Sequence, residues 1–134
     1  PWHNDAVIDG SGEVLYLRDE ETGQVWCPTS LPMADDGAAP YVTRHGFGYS
    51  VFEHDANGIH SELTVFVATD AAVKFSRLVL RNDSERSCRL SVTAYVEWVL
   101  GDMRAKTGPH IHTEVATDSG AVMARNRDRI AGVA

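Results

Sequence analysis

The sequence lacks the features of several common classes of protein. No run of about 20 apolar residues is present, and the longest weakly charged stretch, residues 90–100, is interrupted by Glu97, so no membrane-spanning helix is predicted. The 12 basic residues are outnumbered by 19 acidic ones, which gives a formal net charge of −7. This balance argues against a nucleic-acid partner, because phosphates select basic surfaces. No segment of about ten or more residues shows the 3.6-residue period of an amphipathic helix.

Catalytic and metal-binding motifs are also missing. The chain has no G-x-S-x-G, no glycine-rich phosphate loop and no Cys/His nucleophile pair at an informative spacing. Its two cysteines, Cys27 and Cys88, are far apart in sequence. We expect them to be buried free thiols, which suits a reducing compartment, and a disulfide between them is the alternative. The sequence therefore predicts no catalytic residue, no metal and no cofactor.

Most of the chain is predicted to be β-strand, organised around a hairpin at residues 47–68. Its turn is Asn57-Gly58, two residues that tolerate the positive φ of a type I′ turn. A two-residue loop places Phe52 opposite Leu63, whereas a slip of one residue would set Phe52 against Glu62. This register separates a dry face from a wet face. The dry face carries Phe52, Ile59, Leu63, Val65 and Val67, and the wet face carries Glu53, Asp55, His60, Glu62 and Thr64.

Further alternating segments predict strands on both sides of this hairpin. A shorter hairpin joins residues 13–19 to residues 24–27, and the proline-containing segment 28–40 is predicted to be loop. Later strands are predicted at 73–82, at 88–100 as the longest, at 112–117 and at 121–125. Recurrent short strands without a long helix predict an all-β fold, an antiparallel β-sandwich.

Two pairs of polar side chains have the spacing of a chemical site, and each also has a simpler interpretation. His110 and His112 would share one face of a strand and could bind a metal, but Pro109 makes that segment irregular. Glu53 and Glu62 are predicted to lie opposite each other and could act as general acid and base. Arginines nearby would relieve such a pair on a solvated face. We expect neither pair to be a site.

The segment Arg44-His45-Gly46-Phe47-Gly48-Tyr49 is the strongest binding candidate, because two glycines flank an aromatic residue directly before the hairpin. The simplest interpretation is a sheet entrance or a bulge. The functional interpretation has Arg44, His45 and Tyr49 lining a surface that meets a sugar or a neighbouring domain, since sugars are held by aromatic faces with planar polar groups around them. Trp2 and Trp26 are further candidates for such faces, and Trp98 is expected in the core.

Three runs in the chain resemble a known family. They are YLRDEETGQVWCPT at 16–29, RHGFGYSVFEHDANGI at 44–59 and LSVTAYVEWVLG at 90–101. In this order they resemble the N-terminal domain of glycoside hydrolase family 94, which contains cellobiose and chitobiose phosphorylases, and most of all its cyclic β-1,2-glucan synthase branch. The resemblance implies a galactose-mutarotase-like super-sandwich that packs on an (α/α)6 barrel, and it is the barrel that carries the catalytic general acid.

The resemblance also implies a supporting role for these 134 residues. Such sandwiches run to roughly 250 residues, so we expect a single β-sandwich domain, or part of one, cut from a larger multidomain enzyme. Its implied partners are its own barrel, a second subunit in a homo-oligomer, and a β-glucan or oligosaccharide. The implied location is the cytoplasm, or the cytoplasmic side of the inner membrane for a membrane-embedded parent. The alternatives are a scaffold that touches no sugar and a mutarotase-like enzyme.

Overall fold

The computed structural model describes residues 12–34, 39–101 and 104–128, and most of the regular structure in these ranges is β-strand. One short helix, α1 (Arg104–Thr107), runs into a 3-10 turn at Gly108–His110. The strands in these ranges are β1 (Glu13–Asp19), β2 (Val25–Trp26), β3 (Val42–Gly46), β4 (Tyr49–Ala56), β5 (Ile59–Val67), β6 (Lys74–Asn82), β7 (Leu90–Val96), β8 (Ile111–Val115) and β9 (Val122–Asn126).

The central hairpin has the predicted turn and the predicted register. Asn57 and Gly58 have φ values of 54° and 77°, the left-handed conformation that a type I′ turn requires at both positions. Phe52 pairs with Leu63 across β4 and β5. The hairpin belongs to a four-stranded antiparallel sheet in the order β3-β4-β5-β6.

Replacing Gly58 with Ala is expected to cost about 1–2 kcal/mol, because a Cβ is strained in the left-handed region. The added atom would also lie 2.8 Å from Cβ of Ser84, which is closer than real Cβ contacts come. Thermal denaturation measures the loss. Gly108→Ala is the matched control, since no atom lies within 4 Å of its added Cβ. Equal melting temperatures for the two variants would contradict the prediction.

The segment between residues 42 and 49 is a hairpin and not a sheet entrance or a bulge. Strand β3 ends at Gly46, the chain turns at Phe47 and Gly48, and β4 begins at Tyr49, which pairs with Gly46. Gly48 has a φ of 81°, and this conformation allows the tight turn. The sequence pattern does not predict β3, because all five of its residues are exposed and no alternation of buried and exposed side chains marks the strand.

A three-stranded sheet in the order β2-β1-β7 packs on the four-stranded sheet and completes a sandwich. The shared core joins Leu17 and Trp26 of the first sheet to Ala56 and Ile59 of the second. Complete burial of one large apolar side chain contributes about 1.5–3 kcal/mol to the stability of this core. Because two antiparallel sheets pack on each other through the shared core, the predicted antiparallel β-sandwich is confirmed. Leu78, Leu80, Cys88 and Leu90 pack around this core.

The dry face of the four-stranded sheet is buried near the Asn57-Gly58 turn and open at its other end. Ile59 is only 2% exposed, but Val67 is 57% exposed.

Two polar residues, His54 and Ser61, are buried on the same face. Ser61 Oγ donates a 2.9 Å hydrogen bond to the carbonyl oxygen of His54. The imidazole of His54 stacks on Tyr41 with ring centroids 3.6 Å apart.

Strand β7 is shorter than its sequence pattern predicted. The period-two pattern extended over residues 88–100, but β7 covers the 7 residues from Leu90 to Val96. Strands β5 and β6 are longer, with 9 residues each. The apolar positions Val92 and Val96 are 50% and 41% exposed. Alternation predicts which side chains point the same way, but a strand extends only as far as a partner can hydrogen-bond to it.

Both cysteines in the structure are free thiols, as expected. Cys27 is buried next to Trp26, and burial raises the pKa of its thiol above the ordinary value. Cys88 is partly buried and packs against the core.

The described residues form two compact units, the sandwich at 13–95 and a second unit that contains Gly12 and the residues from Val96 onward. The second unit holds α1, the 3-10 turn and the antiparallel hairpin β8–β9, which was predicted. Asn126 Nδ2 donates a 2.7 Å hydrogen bond to the carbonyl oxygen of Leu100. No helix in the described ranges is long and apolar enough to cross a membrane. The sequence also predicts that a further strand starts in residues 126–134, and most of this segment lies outside the described residues.

His110 and His112 lie in different local structures of this second unit. His110 ends the 3-10 turn and His112 lies in β8, so the two residues do not share a strand. Within residues 12–34, 39–101 and 104–128, no group of three or more His, Cys, Asp or Glu side chains could hold a metal ion.

Candidate functional site

The wet face of the four-stranded sheet is arranged in rows across the strands, because directly paired residues on antiparallel neighbours point to the same side. The rows follow from the register of three consecutive strand pairs. From the Phe47-Gly48 turn to the Asn57-Gly58 turn they are Gly46, Tyr49, Phe66 and Phe75; then Arg44, Val51, Thr64 and Arg77; then Val42, Glu53, Glu62 and Val79; and last Asp55, His60 and Arg81.

The first row is an exposed aromatic strip. Phe66 and Phe75 stack on each other with ring centroids 5.0 Å apart and planes 19° apart, so each turns one ring face to its neighbour. Tyr49 is different, because its ring lies over Gly46. A Cβ built on Gly46 would lie 2.3 Å from Cε1 and Cζ of Tyr49. Only glycine at this position lets the tyrosine ring rest on the sheet, with half of its surface exposed.

The next two rows hold two arginine–glutamate ion pairs. Arg44 Nη1 donates to Glu53 Oε2, and Arg77 Nη1 lies 3.6 Å from Glu62 Oε1. Glu53 and Glu62 lie directly opposite each other. Arginines flank this carboxylate pair on both sides, so the expected arginine neighbours are present. The Arg44–Glu53 pair places planar donors and acceptors next to Gly46 and Tyr49.

His45 does not belong to this surface, which corrects the grouping of Arg44, His45 and Tyr49. Neighbouring residues in a strand point to opposite faces, so His45 lies on the dry side of β3. Its Nδ1 lies 2.8 Å from Ser50 Oγ, and its ring meets Phe52 edge-on at 6.4 Å between centroids. The structure brings together Arg44 and Tyr49 and separates His45 from them.

A family model for the supersandwich domain of glycosyl hydrolase 94 matches residues 1–131, almost the whole chain. The match agrees with the two packed antiparallel sheets and with the resemblance carried by the three runs described above. The chain belongs to this family.

Proteins similar to this supersandwich domain include a glucan synthase and several phosphorylases. The cyclic beta-(1,2)-glucan synthase NdvB of Rhizobium meliloti is 35% identical over 126 residues, which are 94% of this chain and 4% of the relative. An N,N'-diacetylchitobiose phosphorylase of Vibrio proteolyticus is 32% identical over 78% of the chain and 13% of the relative. A solabiose phosphorylase of Paenibacillus borealis is 29% identical over 90% and 16%. The chain therefore spans only a small part of the relatives it matches.

Trp2 and Trp26 were the two tryptophans predicted to offer a ring face to a sugar, and the structure describes only Trp26. Trp26 is 3% exposed and lies in the core with Leu17 and Ile59, so its ring has no face open to a ligand. The prediction for Trp26 is therefore wrong, because its partner in β1 is the buried Leu17. Trp2 lies outside the described residues.

Two aromatic neighbours of the candidate site were missed in the sequence. Phe66 and Phe75 complete the row that contains Tyr49. The predicted register was sufficient to place Phe66 opposite Tyr49, since it set Phe52 against Leu63 in the same pair of strands. Phe66 was overlooked because it interrupts an otherwise polar set of wet-face residues. The candidate site of this supersandwich domain is therefore the surface formed by Arg44 and Tyr49, with Gly46, Glu53 and Phe66 next to them.

Proposed function

We propose that this supersandwich domain is a non-catalytic, carbohydrate-associated part of a larger glucan-processing enzyme. In this role it packs on a catalytic (α/α)6 barrel, supports oligomerisation and contacts the glucan through Arg44 and Tyr49. One observation carries the glucan contact: a half-exposed tyrosine ring rests on a glycine beside a fixed arginine–carboxylate pair. Aromatic rings pack against the apolar faces of sugars, and planar polar groups bind the hydroxyls.

Two observations support packing against other domains. The relatives are far longer than this chain, which spans 4% to 16% of them. Strand β7 also leaves Val92 and Val96 about half exposed on its apolar side. Apolar surface of this kind marks a place where another protein surface is expected to bind. For a parent like the glucan synthase, we propose a position in the cytoplasm or on the cytoplasmic side of the membrane.

A scaffold that touches no sugar is the second candidate, and the Phe66–Phe75 stack favours it. Each of these two rings covers one face of the other, so less ring surface is open to a sugar, and exposed apolar side chains of this kind also mark places where protein surfaces pack. The two candidate functions predict different roles for Tyr49. A glucan contact requires its ring, whereas a scaffold binds no ligand through it.

Tyr49→Ala is expected to weaken binding of gluco-oligosaccharides by up to about tenfold, because ring contacts contribute about 0.5–1.5 kcal/mol. Titration of the 134-residue chain with β-1,2-linked and β-1,4-linked gluco-oligosaccharides, followed by NMR, measures the affinity. Tyr95→Ala is the matched control, since Tyr49 and Tyr95 are both 50% exposed and Tyr95 lies on β7. Equal affinities for the two variants would leave the scaffold as the function.

Gly46→Ala gives an independent test of the same site, because it keeps the tyrosine but displaces its ring. The new Cβ would occupy the space of the ring atoms Cε1 and Cζ of Tyr49. We expect a loss of affinity similar to that of Tyr49→Ala. In the full-length enzyme, the release of sugar 1-phosphate from oligosaccharides with each variant would show whether the contact reaches the reaction.

A further inference from the structure

An open pocket lies at the far end of the wet face, around the Asn57-Gly58 turn. Its volume is about 580 Å³, within the range of sites that hold small ligands. Both the turn itself and the last row of the wet face contribute to its walls. The lining residues that matter here are Asp55, Asn57, Gly58, His60, Arg81 and Asp83.

The charged side chains of this pocket hold one another in place. His60 Nδ1 lies 2.6 Å from Asp55 Oδ1. Arg81 donates two hydrogen bonds to Asp83, from Nε at 2.7 Å and from Nη2 at 2.8 Å. The backbone N–H of Asp83 donates to the carbonyl oxygen of Gly58 at 2.9 Å, which joins the end of β6 to the turn. The pocket is therefore lined by planar groups whose orientations are set before a ligand arrives.

The chemistry of these groups fits a neutral ligand with many hydroxyls. Arg81 has N–H donors beyond the two that Asp83 accepts, and each carboxylate has further acceptor capacity. The carboxylates of Asp55 and Asp83 outnumber the guanidinium of Arg81, so charge disfavours an anionic ligand, whereas a neutral ligand meets no such penalty. The neighbouring guanidinium lowers the pKa of Asp83, which keeps this carboxylate ionised as an acceptor. Paired donors and acceptors of this kind match adjacent hydroxyls on a sugar ring.

The pocket lies on the same face as Tyr49. Asp55 is six residues from Tyr49 along β4, a distance of about 20 Å at 3.3 Å per residue. The two rows between them carry Val51, Thr64, Glu53 and Glu62 in the middle of the sheet, and they place no large aromatic side chain across the path. An oligosaccharide of several rings spans this distance, whereas a disaccharide does not.

We propose that the pocket at the Asn57-Gly58 turn is a second sugar subsite, and that one glucan chain runs along β4 and β5 from Tyr49 to Arg81. The inference rests on the proposed glucan contact at Tyr49 and extends it. It requires affinity to rise with chain length until the saccharide reaches both ends. Tyr49 is then needed for every saccharide, and Arg81 only for the long ones.

The test is an NMR titration of the 15N-labelled chain with gluco-oligosaccharides of two to about six rings, in both β-1,2 and β-1,4 linkage. The expected result is that a disaccharide shifts signals near Tyr49 alone, and that longer saccharides also shift the Arg81 Nε–H and the Asn57 side-chain signals. Affinity is expected to rise about tenfold with length, since one pocket with charge-assisted hydrogen bonds adds about 1.4 kcal/mol.

Arg81→Gln is expected to remove this tenfold gain and to leave disaccharide binding unchanged. Arg125→Gln is the matched control, because Arg125 forms an equally exposed pair with Glu114 at 3.2 Å in the other unit. His60→Gln provides a second variant in case Arg81→Gln does not fold. Length-independent affinity, or equal behaviour of Arg81→Gln and Arg125→Gln, would overturn the second subsite and leave the Tyr49 contact standing. No binding of any saccharide at millimolar concentration would overturn both.

Discussion

Trp26→Ala is expected to lower the free energy of unfolding by about 3–5 kcal/mol, the usual cost of removing a large aromatic side chain from a core. Trp26 is 3% exposed and contacts the buried cluster that joins the two sheets. Domains of this size are stable by only about 5–15 kcal/mol, so the variant loses a large share of its stability. Its sugar affinity, measured where it is still folded, is expected to match the wild type.

Urea denaturation followed by circular dichroism measures this loss. Val25→Ala is the control on the same strand, since Val25 is 42% exposed and its truncation is expected to change stability by about 0.5 kcal/mol or less. Trp26→Phe keeps most of the apolar volume and provides a folded variant if the alanine does not fold. Full stability of Trp26→Ala together with lost sugar binding would contradict the assignment of Trp26 to the core.

Asp19→Asn is expected to produce the second large loss, because Asp19 is a fully buried carboxylate with several partners. Arg86 Nη2 donates to its Oδ2, and the backbone N–H groups of Glu21 and Thr22 donate to its Oδ1 at 2.9 and 3.3 Å. The carboxylate therefore stabilises the turn after β1 and ties it to the polar turn after β6. The asparagine amide offers one acceptor oxygen in place of two, so it cannot accept both from Arg86 and from the backbone, and a buried polar group loses its hydrogen-bond partner.

The loss is expected to depend on pH in a defined direction. The hydrogen bond from Arg86, and then that from the backbone of Glu21, lower the pKa of Asp19 from its ordinary value of 3.8 to about 2. The folded state binds the proton more weakly than the unfolded chain, so the stabilisation is fully present above the ordinary value and is lost as the pH falls to about 2. The melting temperatures of wild type and Asp19→Asn should therefore differ most near neutral pH and converge across that acid range.

Glu114→Gln is the control for this measurement. Glu114 pairs with Arg125, but both side chains are more than half exposed, and exposed ion pairs contribute little. Its melting temperature is expected to follow the wild type at every pH. If the difference in melting temperature between wild type and Asp19→Asn stays constant down to pH values near 2, the carboxylate of Asp19 is not the stabilising group.

The central hairpin could be predicted from sequence because its determinants are local. Asn57 and Gly58 specify the turn, and the alternation of Phe52 and Leu63 with charged neighbours specifies the register. Strand β3 could not be predicted in the same way. Its residues are all exposed, and its position depends on hydrogen bonds to β4 that have no signature in the sequence of β3 itself.

The candidate site was predicted in part. Arg44 and Tyr49 were recognised from residue type and from the glycines around them, and both lie on the exposed face. His45 and Trp26 were recognised by the same chemical argument, but His45 points to the other face and Trp26 is buried. Residue type indicates what a side chain can bind, whereas the direction of that side chain depends on the strand that carries it.

The sequence by itself determined the all-β class, the central turn, the register of β4 and β5, and the family, because these depend on local backbone preferences, on alternation and on ordered motifs. Only the tertiary structure decided which aromatic residues are accessible and which charges meet. Tyr49 rests on the sheet because its partner in β3 is a glycine, and Trp26 is buried because two sheets close over it. Packing between distant segments sets accessibility, and no local pattern encodes that packing.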